Sequence, residues 1–434
     1  MASDAESLPQ RVPCPINPNH TVYASRLQHH VRVCPDLRFV ASALPYYSQN
    51  TNAFCGKVYC RDEDVRHERL THRDLDKATL DRLITRVREY YYSVVQPQIV
   101  LLAEEQCGAD DDPVDQTRRL SSKHSPQHRG LLWCVEKALR GHIETLHEHG
   151  SDSGAIAGFV EFGAGKGGLS VALQDAISSG SLKIAGYNTE PAVTALEGGG
   201  SSNLRLLVVD VDNFRRKGDA CVRRTSLPLI RLRLNIKDLD LVAALRDPSV
   251  RKRSREGVDS TTANSVETQG NSPATEERWV ALGKHLCGSC TDFALSSVTS
   301  PKLHAKSHAS VVAVVLATCC HHRCELQHLN ALPEGGDDTF PSLRLPGTDY
   351  TISSAEFAAI TSMSSWAVSG SFVDEQSRQT GVCCKRVIDA LRVEYLRRKG
   401  YLCAYLCEYV GRDVTEENVC IVAFRSNTGG QKHV

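Results

Sequence analysis

From about residue 156 onward, the chain alternates between short, mainly apolar runs and stretches with helical periodicity. This is the rhythm of an open α/β sheet. The runs at 158–162, 204–210, 229–236, 279–283 and 310–317 predict buried strands, and 168–177 predicts a helix after the first of them. Near the end, 385–398 predicts a helix, with 401–409 and 419–424 as a closing hairpin. Upstream, Leu80, Leu83, Ile84 and Val87 fall at i, i+3, i+4 and i+7, predicting an amphipathic helix within 74–95, with Pro97 beyond it. A second helix is expected over 128–149, with Gly150 as its C′ residue. Residues 107–127 (acidic, then Ser-rich) and 182–203 read as loops, and 246–277, polar and without period, as a disordered insertion. Three regions follow: a Cys/His segment at 11–37, a mostly helical linker at 38–150 and an α/β domain at 151–434.

Composition narrows the class. The 434 residues carry 51 Lys+Arg against 51 Asp+Glu, so any nucleic-acid surface must be local, as at Arg215-Arg216-Lys217 or Arg397-Arg398-Lys399. No apolar run reaches membrane-spanning length and the N-terminus lacks a signal-peptide pattern, so a soluble intracellular protein is expected, nuclear and/or cytoplasmic and not secreted. In such a compartment the 17 cysteines are thiols or metal ligands rather than a disulfide framework.

Two segments carry chemistry. Val160-Glu161-Phe162-Gly163-Ala164-Gly165-Lys166-Gly167-Gly168 places a glycine turn between a strand and a helix start, where backbone can approach a nucleotide closely. Glu161 would repel a pyrophosphate but suits the amino end of S-adenosylmethionine. A methyltransferase fits this segment best; another nucleotide fold and a merely structural turn are the alternatives. The second segment, Cys14-x5-His20-x9-His30-x3-Cys34, offers four ligands within a short span, a set suited to structural Zn²⁺. His30 and Cys34 share a helix face, which His29 does not. A weaker set is Cys55, Cys60, His67 and His72.

Taken together, these and later motifs resemble the eukaryotic tRNA:m(4)X modification enzymes. The motifs are the CHHC finger, Leu44-Pro45-Tyr46-Tyr47-Ser48-Gln49-Asn50, the glycine turn, Val209-Asp210 with Arg215, Lys217 and Asp219, and Arg231 to Ile236. With them go Gly283-Lys284-His285-Leu286-Cys287-Gly288, Thr318-Cys319-Cys320-His321-His322-Arg323-Cys324, Ser365-Trp366 and Gly381 to Arg386. The resemblance implies a class I Rossmann-like methyltransferase domain behind a small CHHC zinc finger. It also implies S-adenosylmethionine as cofactor, and a tRNA ribose 2′-hydroxyl at acceptor-stem position 4 as target. A non-catalytic zinc-finger RNA-binding protein on a Rossmann scaffold is the alternative. The chain differs from the family in having no CCCH finger before the CHHC one, in Asn235 for an Asp, and in Val211 where a basic residue is common.

Roles follow from these positions. Glu161, Gly163, Gly165, Gly167, Asp210 and Asn235 are expected to hold the cofactor, with Glu190 the rival of Asp210 and Asp238 that of Asn235. Lys284 and His285 are the catalytic candidates, since a 2′-hydroxyl needs a base or a cation to become a nucleophile. Phosphate binding by Lys284 is the alternative. His321, His322 and Arg323 are expected to contact tRNA. Metal binding by the 319–324 cluster is disfavoured, because neighbours on an extended segment point to opposite sides.

Overall fold

All seven apolar runs of the α/β region become strands of one sheet. The computed structural model describes residues 10–16, 21–34, 41–53, 70–101, 124–148, 155–184, 204–212, 227–248, 250, 276–304, 309–330, 343–369 and 373–426. Strands β1 (Arg11–Pro13) and β2 (Thr21–Tyr23) form a small antiparallel pair ahead of helix α1 (Leu27–Val33). Then come α2 (Lys77–Tyr90), β3 (Val100–Leu101), α3 (Ser125–Glu148), β4 (Ile156–Phe162), α4 (Gly168–Ser178), β5 (Arg205–Asp210), β6 (Leu229–Arg233) and α5 (Leu241–Arg246). The C-terminal half adds β7 (Glu277–Cys287), α6 (Cys290–Val298), α7 (Pro301–His304), β8 (Ala309–Cys319), β9 (Leu343–Arg344), β10 (Thr351–Ile352), α8 (Ser354–Met363), α9 (Glu375–Arg398), β11 (Cys403–Glu408) and β12 (Val419–Phe424).

The main sheet has eight strands in the order β3-β11-β12-β8-β7-β4-β5-β6. Strands β6, β5, β4, β7 and β8 run parallel, whereas β12 is antiparallel to both β8 and β11. All of β8 is buried, as a parallel strand covered on both faces requires. From β4 the chain builds outward first to β5 and β6, then returns to lay β7 and β8 on the other side. Beyond the carboxyl ends of β4 and β7 the connections therefore part and leave a crevice, the place where open α/β sheets bind ligands.

Helices cover both faces. On one, Leu131, Val135 and Leu139 of α3 and Leu169, Leu173 and Ile177 of α4 pack with Val208, Val280, Leu282 and Val315. On the other, Leu83, Val87 and Tyr90 of α2 join Phe293, Leu295, Phe357, Leu391 and Tyr401 against Val160, Leu207, Val209 and Val314. Of the region expected as a mostly helical linker, 38–150, helices α2 and α3 each pack on one face of this sheet. Helix α2 starts where the Asp76 side chain accepts the Thr79 N–H at 3.0 Å, and it runs on through a π turn (Tyr91–Val95) to the 3-10 turn that holds Pro97. Glu190, Arg215, Lys217, Asp219 and most of the expected insertion at 246–277 lie outside the described residues.

Candidate active site

The turn after β4 is shaped by three glycines. Gly163, Gly165 and Gly167 take φ values of +64°, +51° and +75°, which side-chain-bearing residues rarely adopt. A Cβ on Gly163 would stand 3.1 Å from the His285 carbonyl oxygen, so the turn lies directly against the end of β7. A Cβ on Gly165 would meet nothing within 4 Å, so free space opens above the turn. Asp210, at the end of β5, reaches across: one carboxylate oxygen accepts the Gly165 N–H at 2.6 Å, the other the Asp212 N–H at 2.9 Å. Glu161 is buried and accepts the Ser170 hydroxyl of α4. Asn235 is exposed and caps the 3-10 turn Ile236–Asp238 by accepting the Lys237 N–H at 3.0 Å. Its rival Asp238 accepts the Asn50 N–H at 2.7 Å and so anchors the 41–53 segment.

Lys284 and His285 sit on an irregularity of β7. Gly283 pairs with Leu316 and Leu286 with Thr318, so β7 has one extra residue there, a bulge that re-aims its side chains. Lys284 turns inward and is buried, while His285 is exposed. The Lys284 Nζ lies 3.2 Å from Nε2 of His128, which is near the start of α3. Burial pushes Lys284 down to about 8, against the opposing pull of the Glu161 carboxylate. Burial, reinforced by the Lys284 charge, pushes His128 down to about 3, so the ring is neutral and its Nε2 accepts from the lysine. His128 was not legible as a site residue. It is 156 positions from Lys284 and reads only as the opening of an amphipathic helix.

The 321–323 turn separates three residues expected to act together. His321 is fully enclosed and contacts Asp389 at 2.7 Å, which corrects its expected place on an RNA-facing surface. Asp389 also accepts from Arg386 at 2.6 Å and lies 3.5 Å from Arg392, which pairs with Asp292 at 2.6 Å. His322 is half-buried and Arg323 is exposed, so these two remain at the rim.

In the N-terminal segment the ligand atoms of Cys14, His30 and Cys34 lie within 4.8 Å of one another, His30 Nε2 and Cys14 Sγ being 3.2 Å apart and the two sulfurs 3.8 Å. His29 faces outward, exposed. The fourth expected ligand, His20, lies outside the described residues, as do Cys55, Cys60 and His67 of the weaker set. His72 of that set is engaged elsewhere, with Nδ1 2.9 Å from the Ser362 hydroxyl and its ring edge-on to Trp366.

Comparison with known proteins decides the family. A family model described as Methyltransferase TRM13 matches residues 135–380 and 371–424, more than half of the chain, and a U11-48K-like CHHC zinc finger model matches 11–35. The chain belongs to the TRM13 methyltransferase family. Among its relatives, a tRNA:m(4)X modification enzyme TRM13 of Schizosaccharomyces pombe is 25% identical over 440 residues, covering 96% of both chains. The Saccharomyces cerevisiae enzyme of the same name is 24% identical over 98% of this chain and 87% of its own. The human TRM13 homolog is 24% identical over 98% of this chain and 89% of its own. No solved structure matches. Both the family's methyltransferase activity and a CHHC finger at the N-terminus therefore apply here. Among the described residues no helix is long and apolar enough to cross a membrane.

Proposed function

We propose that this TRM13-family protein methylates the ribose 2′-hydroxyl at position 4 of the tRNA acceptor stem, using S-adenosylmethionine. The strand order β6-β5-β4-β7-β8-β12-β11, with β12 reversed, supports a class I Rossmann-like assignment. The observation that carries the reading is the buried Lys284 amine, held against a neutral His128 on the β7 bulge that the glycine turn touches.

The residues present fit the cofactor. Asp210 is fixed by two backbone N–H groups and keeps lone pairs for both ribose hydroxyls, while Gly165 leaves open the space such a ligand needs. The Asn235 amide oxygen has a second lone pair for the adenine amino group. Glu161 places buried negative charge beneath the site. When bound, S-adenosylmethionine supplies an electrophilic methyl group on its sulfonium. The Lys284 Nζ, unprotonated in part near neutral pH because its pKa is about 8, accepts the proton leaving the 2′-hydroxyl. His128 orients the lysine by accepting one of its N–H bonds, and His285 lines the outer wall. Arg323 and His322 face the RNA at the rim. Duplex RNA presents its 2′-hydroxyls in a wide, shallow minor groove, so the target is reached without extruding a base.

The finger holds one Zn²⁺ through Cys14, His20, His30 and Cys34, and the metal supplies folding energy that so short a segment lacks. Incubation with labelled S-adenosylmethionine and total tRNA, followed by nucleoside mapping, should place a 2′-O-methyl group at position 4; label on a base, or on protein alone, would overturn the proposal.

Two further results are expected. Gly165→Arg fills the open space and strains a left-handed residue, so cofactor affinity should fall at least about tenfold in a folded variant. Calorimetry showing unchanged affinity would move the cofactor elsewhere. Cys34→Ser should remove the finger's zinc and weaken tRNA binding while cofactor affinity persists, and equal tRNA binding would reduce the finger to a structural role.

A further inference from the structure

Cys287, Cys319 and Cys320 converge at the carboxyl ends of β7 and β8. Cys287 and Cys319 are direct partners across the two strands, with sulfurs 3.7 Å apart, and the Cys287 and Cys320 sulfurs are 3.4 Å apart. Adjacent residues of an extended chain cannot normally turn to one side. Here Cys320 takes φ +48°, a left-handed conformation unusual for any residue but glycine, and this brings its sulfur back towards Cys287. The disfavoured metal reading of the 319–324 cluster is thereby reopened, with Cys287 as the member that the local spacing did not suggest.

We propose that Cys287, Cys319 and Cys320 form a second zinc site, with three thiolate ligands and a fourth position left for water or substrate. Among the described residues, two Cys/His groups bring three ligand atoms within 4.8 Å of one another: this one and the finger. Tetrahedral zinc with Zn–S bonds of about 2.3 Å sets its sulfurs about 3.8 Å apart, close to the spacings here. A disulfide between any two would leave the third thiol stranded, whereas one soft d¹⁰ cation uses all three.

The surroundings are built to hold this geometry. A Cβ on Gly288 would fall 2.5 Å from the Arg323 carbonyl oxygen, so only glycine lets the turn after Cys287 lie against the turn after Cys320. Beneath them, buried Arg392 donates to the Gly288 carbonyl at 3.1 Å and to Cys324 Sγ at 3.2 Å, tying the two turns together and engaging Cys324 away from the cluster. A contrast lies in the core. There Cys134 Sγ is 3.8 Å from Cys407 and 3.7 Å from Cys420, and all three residues are buried. Cys287 and Cys320 are instead half-exposed, which gives an ion a route in. Zinc there would brace the strand end carrying Lys284 and His285 against the turn carrying His322 and Arg323.

The test is zinc content by plasma mass spectrometry on full-length protein purified under reducing conditions. Wild type should hold two zinc ions per chain. Cys14→Ser/Cys34→Ser, which destroys the finger, should retain one, and adding Cys320→Ser should remove it. In the finger-less variant, added Co²⁺ should give thiolate-to-metal absorption that disappears with Cys320→Ser. Should circular dichroism show that Cys320→Ser unfolds the chain, Cys287→Ser takes its place, and the finger-less protein alone still decides. A metal-free, folded finger-less variant that gives no cobalt band would overturn the proposal, as would peptide mapping that finds two of the three cysteines joined in a disulfide.

Discussion

Lys284→Ala is expected to lower the single-turnover methylation rate on the order of 10²-fold or more, with tRNA and cofactor both saturating. A lysine that only held phosphate would weaken tRNA binding and leave this rate near normal, so the saturating experiment separates the two roles. Lys284→Arg keeps the positive charge but cannot release a proton near neutral pH, and should be nearly as slow. The pH dependence carries a definite sign. The base works when unprotonated, so the rate should rise with pH and level off above about 8. His128→Ala admits water to the pocket and relieves the burial that lowers the lysine, so the midpoint should move upward and the rate at pH 7 should fall. A near-normal Lys284→Ala beside a slow His285→Ala would hand the base role to the histidine.

Asp389→Ala should be the most destabilising single change, at about 3–5 kcal/mol, because it leaves the buried Arg386 guanidinium without its carboxylate and takes the partner of the enclosed His321. Asp389 is fully buried, and it contacts His321, Arg386 and Arg392 at 2.7, 2.6 and 3.5 Å. These neighbours, His321 foremost, outweigh the cost of burial and hold its carboxyl below the usual range. Denaturant titration of the variant against wild type measures the effect, and a loss under about 1 kcal/mol would mean that the site rehydrates on opening. His321 adds a pH signature. Burial lowers it to about 4 from an ordinary 6.5, so between those values the unfolded chain binds the extra proton and stability should rise with pH. His321→Gln should flatten that slope.

The sheet was readable because strands buried on both faces, as in its parallel part, stand out as short, mainly apolar runs. The extension of β7 through Cys287 was not, since Lys284 and His285 interrupt the run at the bulge. The glycine turn and the ends of β4 and β5 were legible from spacing, as were Cys14, His30 and Cys34. What escaped depends on contacts between distant segments. His128 arrives on a helix whose own periodicity explains it fully, and Cys287 joins Cys319 only through strand register. The enclosure of His321 depends on Asp389 and Arg392 of α9, and a histidine between polar neighbours gives no local sign of being buried.

The 41–53 segment has a practical meaning for dissecting this protein. The side-chain amide of Asn52 donates to the carbonyls of Ile236 and Leu239, both at 2.7 Å, while the backbone N–H groups of Ser48 and Asn52 donate to the carbonyls of Asp238 and Lys237 at 2.8 and 2.9 Å. A truncation starting at residue 70, or at the first strand of the sheet, would strip these donors and uncover the wholly buried Leu239 next to Asn235. The smallest fragment worth expressing without the finger therefore begins ahead of Ala41, and shorter pieces should lose the ordered turn that follows Asn235 before they lose their overall fold.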